Sequence, residues 1–173
     1  MNKERIPRAQ PAREALITVR PIIKNDKEWI ARVITQWWGS TDVVTRGKLL
    51  SVTTLPGFLA VLKEKPVGVV TYKITGRECE IVTLNSLRRA KGIGARLLDE
   101  VKKVALSSRC KRLWVITTND NMRALRFYQT HGFSLVAVHR DALEHSRRLK
   151  KEIPLIGQDG IPLRDEIELE MLL

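Results

Sequence analysis

The stretch LNSLRRAKGIGA, residues 84 to 95, connects a strand-like run to a helix. The apolar residues that follow lie on a single helical face: Ile93, Leu97, Leu98, Val101, Val104 and Ala105. Free N–H groups at the helix start, the positive end of the helix dipole and the nearby basic residues all favour an anionic group. Glycines at 92 and 94 let the backbone approach that group closely. The stretch therefore predicts a phosphate or pyrophosphate site.

Three kinds of glycine-containing phosphate loop could occur at such a junction. The dinucleotide fingerprint G-x-G-x-x-G is excluded because its third glycine position holds Leu97. A P-loop ends in G-K-[ST], whereas Gly47-Lys48 is followed by Leu49. The pattern R/Q-x-x-G-x-G/A is matched by Arg89-Ala90-Lys91-Gly92-Ile93-Gly94. A basic surface turn without a ligand is the alternative explanation of this last match.

A second motif, N-x-x-A-x-x-x-Y-x-x-x-G-F, has its defined positions at Asn121, Ala124, Tyr128, Gly132 and Phe133. Together the two motifs resemble those of the GCN5-related N-acetyltransferase (GNAT) superfamily, in the same order and separated by a helix and a strand. The resemblance is firm over about residues 78 to 135. The segments ECEIVTLNSL and GIPLRDEIELE also look like a bacterial subgroup of that superfamily.

The resemblance implies an α/β fold of the acyl-CoA N-acyltransferase type. The expected core is a mixed, mostly antiparallel sheet flanked by helices, with one parallel strand pair at residues 80–84 and 112–117. These two strands are expected to splay and to leave a slot. We expect a single N-acetyltransferase domain over residues 15–173, preceded by a basic, disordered arm at residues 1–14.

The resemblance also implies acetyl-CoA as co-substrate. The basic side chains and amides of the glycine loop would hold the pyrophosphate, and the backbone of residues 84–87 would accept the pantetheine arm and stabilise the oxyanion. Asn121 would hold the cofactor or cap its own helix. The residues expected to bind acetyl-CoA are Leu84, Asn85, Ser86, Leu87, Arg89, Lys91, Gly92, Ile93, Gly94, Ala95, Asn121 and Tyr128.

Acetyl transfer to an amine calls for a base and an acid. An amine with a lysine-like pKa of about 10.4 is protonated at pH 7 and must lose a proton before it attacks a thioester. Glu80 is the candidate base; it should share a strand face with Val82, Leu84 and the alternative base Glu78. Tyr128 matches the superfamily's usual general acid, which protonates the departing thiolate. A solvated strand carboxylate and a packed helical aromatic are the purely structural alternatives.

The cysteines and histidines indicate no second chemistry. Cys79 should point away from Glu80 and is expected to be a core thiol, not an acyl-enzyme nucleophile. The histidines have neither a shared carboxylate nor metal-ligand spacing, so no metal site is expected; they are His131, His139 and His145. The chain has only two cysteines and lacks a secretory or membrane-spanning pattern, which predicts a cytoplasmic protein.

The first third of the chain is less regular. Residues 16–24 predict a strand that Pro21 restricts to an edge or a bulge, and Asn25 with Glu28 suggests a helix N-cap. Residues 40–56 are expected to form a loop that can include a short helical or strand piece. An apolar helical face, whose two tryptophans would lie in the core or in the wall of an acceptor pocket, is predicted at Ile30, Val33, Ile34, Trp37 and Trp38.

Three functional classes are compatible with a net charge of +12. The leading hypothesis is an N-acetyltransferase that moves an acetyl group from acetyl-CoA to a primary amine of a small molecule or peptide, by direct attack in a ternary complex. The second is a non-catalytic acyl-CoA-binding or sensor module of the same fold. The third, a nucleic-acid-binding protein, is less favoured because aromatics do not interleave with the basic residues. No membrane association is expected, and a homodimer is possible.

Overall fold

The computed structural model describes residues 17–88 and 92–173. Its strands are β1 (Ile17–Pro21), β2 (Asp42–Thr45), β3 (Lys48–Ser51), β4 (Gly57–Leu62), β5 (Lys65–Thr75), β6 (Glu78–Ser86), β7 (Arg112–Thr118), β8 (Ser134–His139) and β9 (Glu166–Leu172). Its helices are α1 (Lys27–Trp38), α2 (Ile93–Ser107), α3 (Met122–Thr130) and α4 (Ala142–Leu149). The arm at residues 1–14 lies outside the described residues, as do Arg89 and Lys91 of the glycine loop.

Within the described residues, seven strands form one mixed sheet in the order β1-β4-β5-β6-β7-β9-β8. Neighbouring strands are antiparallel except β6 and β7, which are parallel. Apolar side chains of α2 and α3 pack on one face of this sheet, and those of α1 and of the β2–β3 pair pack on the other. The predicted fold class, a mostly antiparallel mixed sheet flanked by helices, is confirmed.

The predicted splay of the parallel strand pair is also present. Strands β6 and β7 pair only from Glu78 with Arg112 to Ile81 with Val115. Beyond these pairs, β6 continues to Ser86 alongside β5 alone, and β7 continues alongside β9 alone. The two strands therefore separate at the end of the sheet where α2 begins.

Helix α1 begins differently from the prediction. Asn25 lies in a short 3₁₀ turn, Lys24–Asp26, and the helix starts after it. The Asp26 carboxylate accepts a hydrogen bond from the Ile23 N–H at 2.8 Å and two from the Arg20 guanidinium at 2.7 and 2.8 Å. These hydrogen bonds lower the pKa of Asp26. The predicted Asn25 cap is therefore wrong: at the start of the helix it is the side chain of Asp26 that binds a backbone amide, that of Ile23.

The buried face of α1 is shorter than predicted. Ile30, Val33 and Ile34 are buried, whereas Trp37 and Trp38 are 55% and 40% exposed. Only the first turns of the helix pack on the sheet, so a core position for the tryptophans is wrong. They stay candidates for the wall of an acceptor pocket.

Residues 42–51 form a β-hairpin within the segment that was expected to be a loop with a short helical or strand piece. Strands β2 and β3 pair from Asp42 with Ser51 to Thr45 with Lys48. The two residues between the strands, Arg46 and Gly47, have φ values of 46° and 69°. Two successive positive φ angles are typical of a tight two-residue hairpin turn. The apolar side of this hairpin packs against α1 and the sheet.

A β-bulge at Val82 changes which residues of β6 share a face. Thr71 of β5 pairs with Thr83, but the next residue of β5 pairs with Ile81, so Val82 is an extra residue. Leu84 consequently packs with Ile81 on the α2 side, whereas Val82 packs on the α1 side. The expectation that Leu84 shares a face with Glu80 and Val82 is therefore wrong.

Gly57 provides a test of close strand packing. A Cβ at this position would lie 2.1 Å from the Val70 carbonyl oxygen and 2.7 Å from Ile22 Cδ1. Gly57→Ala is therefore expected to lower the free energy of unfolding by about 3 kcal/mol. The control is Gly76→Ala: Gly76 has φ +60°, and apart from its chain neighbours no atom of the described residues lies within 4 Å of the added Cβ, so the loss is expected to be only about 1 kcal/mol. Urea denaturation measures both values; equal losses would mean that strand movement relieves the Val70 contact.

Candidate active site

The N-terminus of α2 presents backbone donors toward the end of β6. Gly92 is the N-cap residue, has φ 64° and supplies no side-chain cap. The amides of the first helical turn, Ile93 to Ala95, have no acceptor within the helix itself. Next to this turn, a Cβ at Gly94 would lie 3.1 Å from the ring of Phe127 in α3. The helix start therefore has the backbone geometry expected of an anion site, and α3 packs directly beside it.

The part of β6 beyond Ile81 forms one side of the gap between the parallel strands. The Leu87 amide is already used, since it donates to the Val67 carbonyl at 2.9 Å. Asn85 is buried, and its Oδ1 has no hydrogen-bond partner among the described residues. A buried amide oxygen without a partner is uncommon in folded proteins and is consistent with a polar ligand at this segment.

Tyr128 lies in the core on the α2 side of the sheet. Its ring is 5% exposed and packs edge-on against Phe127 and Phe133, with ring centroids 5.2 Å apart in each case. Burial raises the pKa of Tyr128, so the hydroxyl stays protonated through the neutral range. Asn121 caps α3, because its Oδ1 accepts a hydrogen bond from the Ala124 amide at 3.1 Å.

Glu80 lies on the opposite face of β6 and is 8% exposed. The Thr45 hydroxyl of the hairpin donates a hydrogen bond to Glu80 Oε1 at 2.6 Å. Burial raises the pKa of Glu80, while this hydrogen bond and the charges of Lys73 and Arg46 act in the lowering direction. The net result is a carboxylate with a raised pKa, which is the direction that suits a base near neutral pH.

The sequence analysis missed a charged network beside Glu80. The Glu168 carboxylate of β9 receives a hydrogen bond from Arg112 and lies 2.9 Å from His139 Nε2. Burial opposes ionisation of Glu168, but the hydrogen bonds of His139 and Arg112 and the charges of Arg46 and Arg112 together lower its pKa. The guanidinium of Arg46 lies 3.9 Å from the same carboxylate. The sequence did not predict this pair of His139 and Glu168, which is a hydrogen-bonded pair and not a metal site.

The face that carries this network is the Glu80 face. Trp114 of β7 pairs in register with Glu80, and the guanidinium groups of Arg46 and Arg112 lie 5.1 and 5.3 Å from the centroid of its ring. The alternation EIELE in the tail puts Glu166, Glu168 and Glu170 on one side of β9. This alternation predicts a polar face on the strand, but it does not predict which residues bind the carboxylates, because Arg112 and His139 are distant from Glu168 in the sequence.

Comparison with known proteins identifies the family. The sequence model of the acetyltransferase (GNAT) family matches residues 23–133. The chain belongs to the GNAT acetyltransferase family. It is similar to protein YdhI of Bacillus subtilis (strain 168), with 39% identity over 142 residues that cover 82% of this chain and 89% of that protein.

Solved GNAT structures agree with the fold of this family member. A GNAT family acetyltransferase from Elizabethkingia anophelis with acetyl-CoA bound has a TM-score of 0.65 and 22% identity, covering 91% of this chain and 98% of its own. Arabidopsis thaliana NAA60 in complex with a bisubstrate analogue has a TM-score of 0.68 and 19% identity, covering 91% and 98%. At these identities the likeness establishes the architecture.

The thiol of Cys79 lies in the core of this GNAT protein. Cys79 is fully buried, and burial raises its pKa to about 12, which disfavours the nucleophilic thiolate. Among the described residues, no three His, Cys, Asp or Glu side chains are grouped so that they could hold a metal ion. In the same part of the chain, no helix combines the length and the apolar composition that crossing a bilayer would require.

Proposed function

We propose that this GNAT protein transfers an acetyl group from acetyl-CoA to a primary amine in a ternary complex. The observation that supports this most directly is the separation of β6 from β7 beyond Ile81 and Val115, beside the uncapped start of α2. A thioester whose pyrophosphate lay at the helix start would extend along this gap toward Glu80 and Tyr128. The Elizabethkingia anophelis relative, which has acetyl-CoA bound, has the same fold.

The binding residues follow from the same gap. The amides of Gly92, Ile93, Gly94 and Ala95, with Arg89 and Lys91, would hold the pyrophosphate. The backbone of Leu84, Asn85, Ser86 and Leu87 would lie along the pantetheine arm, with Asn121 and Tyr128 on the other flank. The amine of a small molecule or peptide would reach the thioester from the face that carries Glu80, since Glu80 is the proposed base.

The reaction then uses one group from each face. Glu80 accepts a proton from the ammonium group, directly or through one water, and the neutral amine attacks the thioester carbonyl carbon. The tetrahedral adduct loses its second amine proton to solvent, and its C–S bond breaks as the amide forms. Tyr128 donates a proton to the thiolate and regains one from solvent. Burial raises the pKa of both groups: the shift makes Glu80 a stronger base, and it keeps Tyr128 protonated while making it a weaker acid toward the thiolate.

Two measurements test this proposal together. Calorimetry with acetyl-CoA tests binding, and release of free CoA thiol in the presence of amino acids, polyamines, aminoglycosides or peptide N-termini tests transfer. We expect binding heat and thiol release that depends on the amine. Absence of binding would contradict the proposal altogether. Binding without turnover on any amine would favour the non-catalytic acyl-CoA-binding module.

A further inference from the structure

We propose that Thr45 is a positioning residue for the Glu80 carboxylate and makes the β2–β3 hairpin part of the catalytic apparatus. This inference rests on the proposed role of Glu80 as the base. The two residues are 35 positions apart in the sequence, and both are buried. Nothing in the two GNAT motifs includes the hairpin.

The contact fixes one oxygen of the carboxylate and leaves the other for the acceptor. The Thr45 hydroxyl donates to Glu80 Oε1 at 2.6 Å and is the sole hydrogen-bond partner of this carboxylate in the described part of the chain. A hydrogen bond to a charged acceptor is stronger and more directional than one between neutral groups. Oε1 is therefore held in one orientation, and Oε2 can accept the proton of the amine.

The charged groups around Glu80 do not provide the same restraint. Lys73 of β5, Arg46 of the hairpin turn and Glu168 of β9 all act on Glu80 through their charges. Within residues 17–88 and 92–173, no basic group lies within 4.0 Å of the Glu80 carboxylate, whereas Glu168 has its own partners in Arg112 and His139. A direct ion pair would lower the basicity of Glu80 more than a hydroxyl does. A single neutral donor thus orients the carboxylate and preserves it as a base.

The hairpin is anchored firmly enough to act in this way. Its open end, away from the turn, is held by the buried Lys150 ammonium, which donates to the Trp38 and Asp42 carbonyls at 2.6 Å each. Its apolar side is held by Val43, which packs in the cluster under α1. Thr45 is the last strand residue before the tight turn, so its hydroxyl has little freedom to leave Glu80.

The test replaces the hydroxyl and follows the pH dependence of kcat/KM. Thr45→Val removes the donor, so the carboxylate form of Glu80 loses stabilisation and the acidic limb of the profile should move to higher pH. At pH 7, kcat/KM should fall about tenfold, which corresponds to one lost hydrogen bond to a charged group. Thr45→Ser keeps a hydroxyl and should restore both the rate and the limb. The KM for acetyl-CoA should stay unchanged in both variants.

Thr54→Val is the matched control. Thr54 is exposed, lies three residues after the end of β3, and donates a hydrogen bond to the Ser51 carbonyl at 2.8 Å. It should leave the pH profile in place. If Thr45→Val does not fold, Thr45→Ala, which removes the same donor, is used in its place. An unshifted limb in the folded Thr45 variant, or the same rate loss in Thr54→Val, would overturn the proposal.

A double-mutant cycle separates this inference from the proposed function. In a Glu80→Gln background, Thr45→Val should cause no further change in the residual rate. A further tenfold loss there would mean that Thr45 acts independently of Glu80 and would overturn the inference. If Glu80→Gln alone leaves the rate intact, the proposed base is wrong, and that failure is visible before any Thr45 variant is made.

Discussion

Glu80→Gln is expected to reduce kcat about 10²- to 10⁴-fold, the range that a positioned base contributes. Glutamine has the same shape and can accept the Thr45 hydrogen bond, but it cannot take a proton from the amine. The reduction should appear in kcat measured by CoA thiol release at saturating acetyl-CoA. Affinity for acetyl-CoA should not change, because the glycine loop and the gap are untouched.

The pH profile gives a second readout for the same variant. Burial raises the pKa of Glu80 above the usual glutamate range, although Thr45, Lys73 and Arg46 oppose the shift. The wild-type rate should therefore fall as pH drops through this raised value, and Glu80→Gln should lack that limb. A group with a raised folded-state pKa stabilises the fold only at low pH and loses that contribution as pH rises. Glu80→Gln should accordingly melt no lower than the wild type at neutral pH.

Glu78→Gln is the control for Glu80. Its side chain is 47% exposed and lies 3.9 Å from Arg112, and it is the alternative base on the same strand. A small effect in Glu78→Gln together with a large effect in Glu80→Gln supports Glu80. The reverse result would assign the base to Glu78, and two small effects would mean that a water chain removes the proton.

Tyr128→Phe is expected to reduce kcat about 10²-fold or more while acetyl-CoA still binds. The ring packing against Phe127 and Phe133 survives the change, so only the hydroxyl is removed. Calorimetry measures binding, and thiol release measures turnover. Because the leaving thiolate has a reference pKa of about 8.5, the loss should be smaller with a thioester whose thiol is more acidic.

Tyr72→Phe is the matched control, since Tyr72 is the other of the two tyrosines in the chain. It stacks on Phe58 of β4, with ring centroids 6.1 Å apart. This variant should keep full turnover. Full turnover in Tyr128→Phe as well would contradict the acid role and would leave Tyr128 as a packed aromatic.

The sequence predicted the middle of the molecule well because its signals are local. The bounds of α2 follow from Gly92 and the apolar spacing after it, and those of α3 follow from Asn121 and Gly132. In each case a cap or a turn residue lies next to a regular apolar pattern. The parallel strands follow from chain order, because a strand–helix–strand connection makes them parallel.

The parts that the sequence did not predict depend on contacts between distant segments. Arginine is an unusual first residue for a two-residue turn, so TRGK did not suggest the hairpin that carries Thr45. The bulge at Val82 has no glycine or proline to indicate it, yet it reverses the side on which Leu84 packs. The pairing of His139 with Glu168 spans 29 positions and is a consequence of the order of β8 and β9 in the sheet.

The parting of β6 from β7 also has a mechanical consequence. Two half-sheets, β1-β4-β5-β6 and β7-β9-β8, are joined through only four residue pairs along this seam. A ligand that hydrogen-bonds to both β6 and β7 along the gap would take the place of the missing strand pairing and would connect the two half-sheets. Loading would then stiffen the whole scaffold, and the melting temperature would rise with the concentration of the thioester.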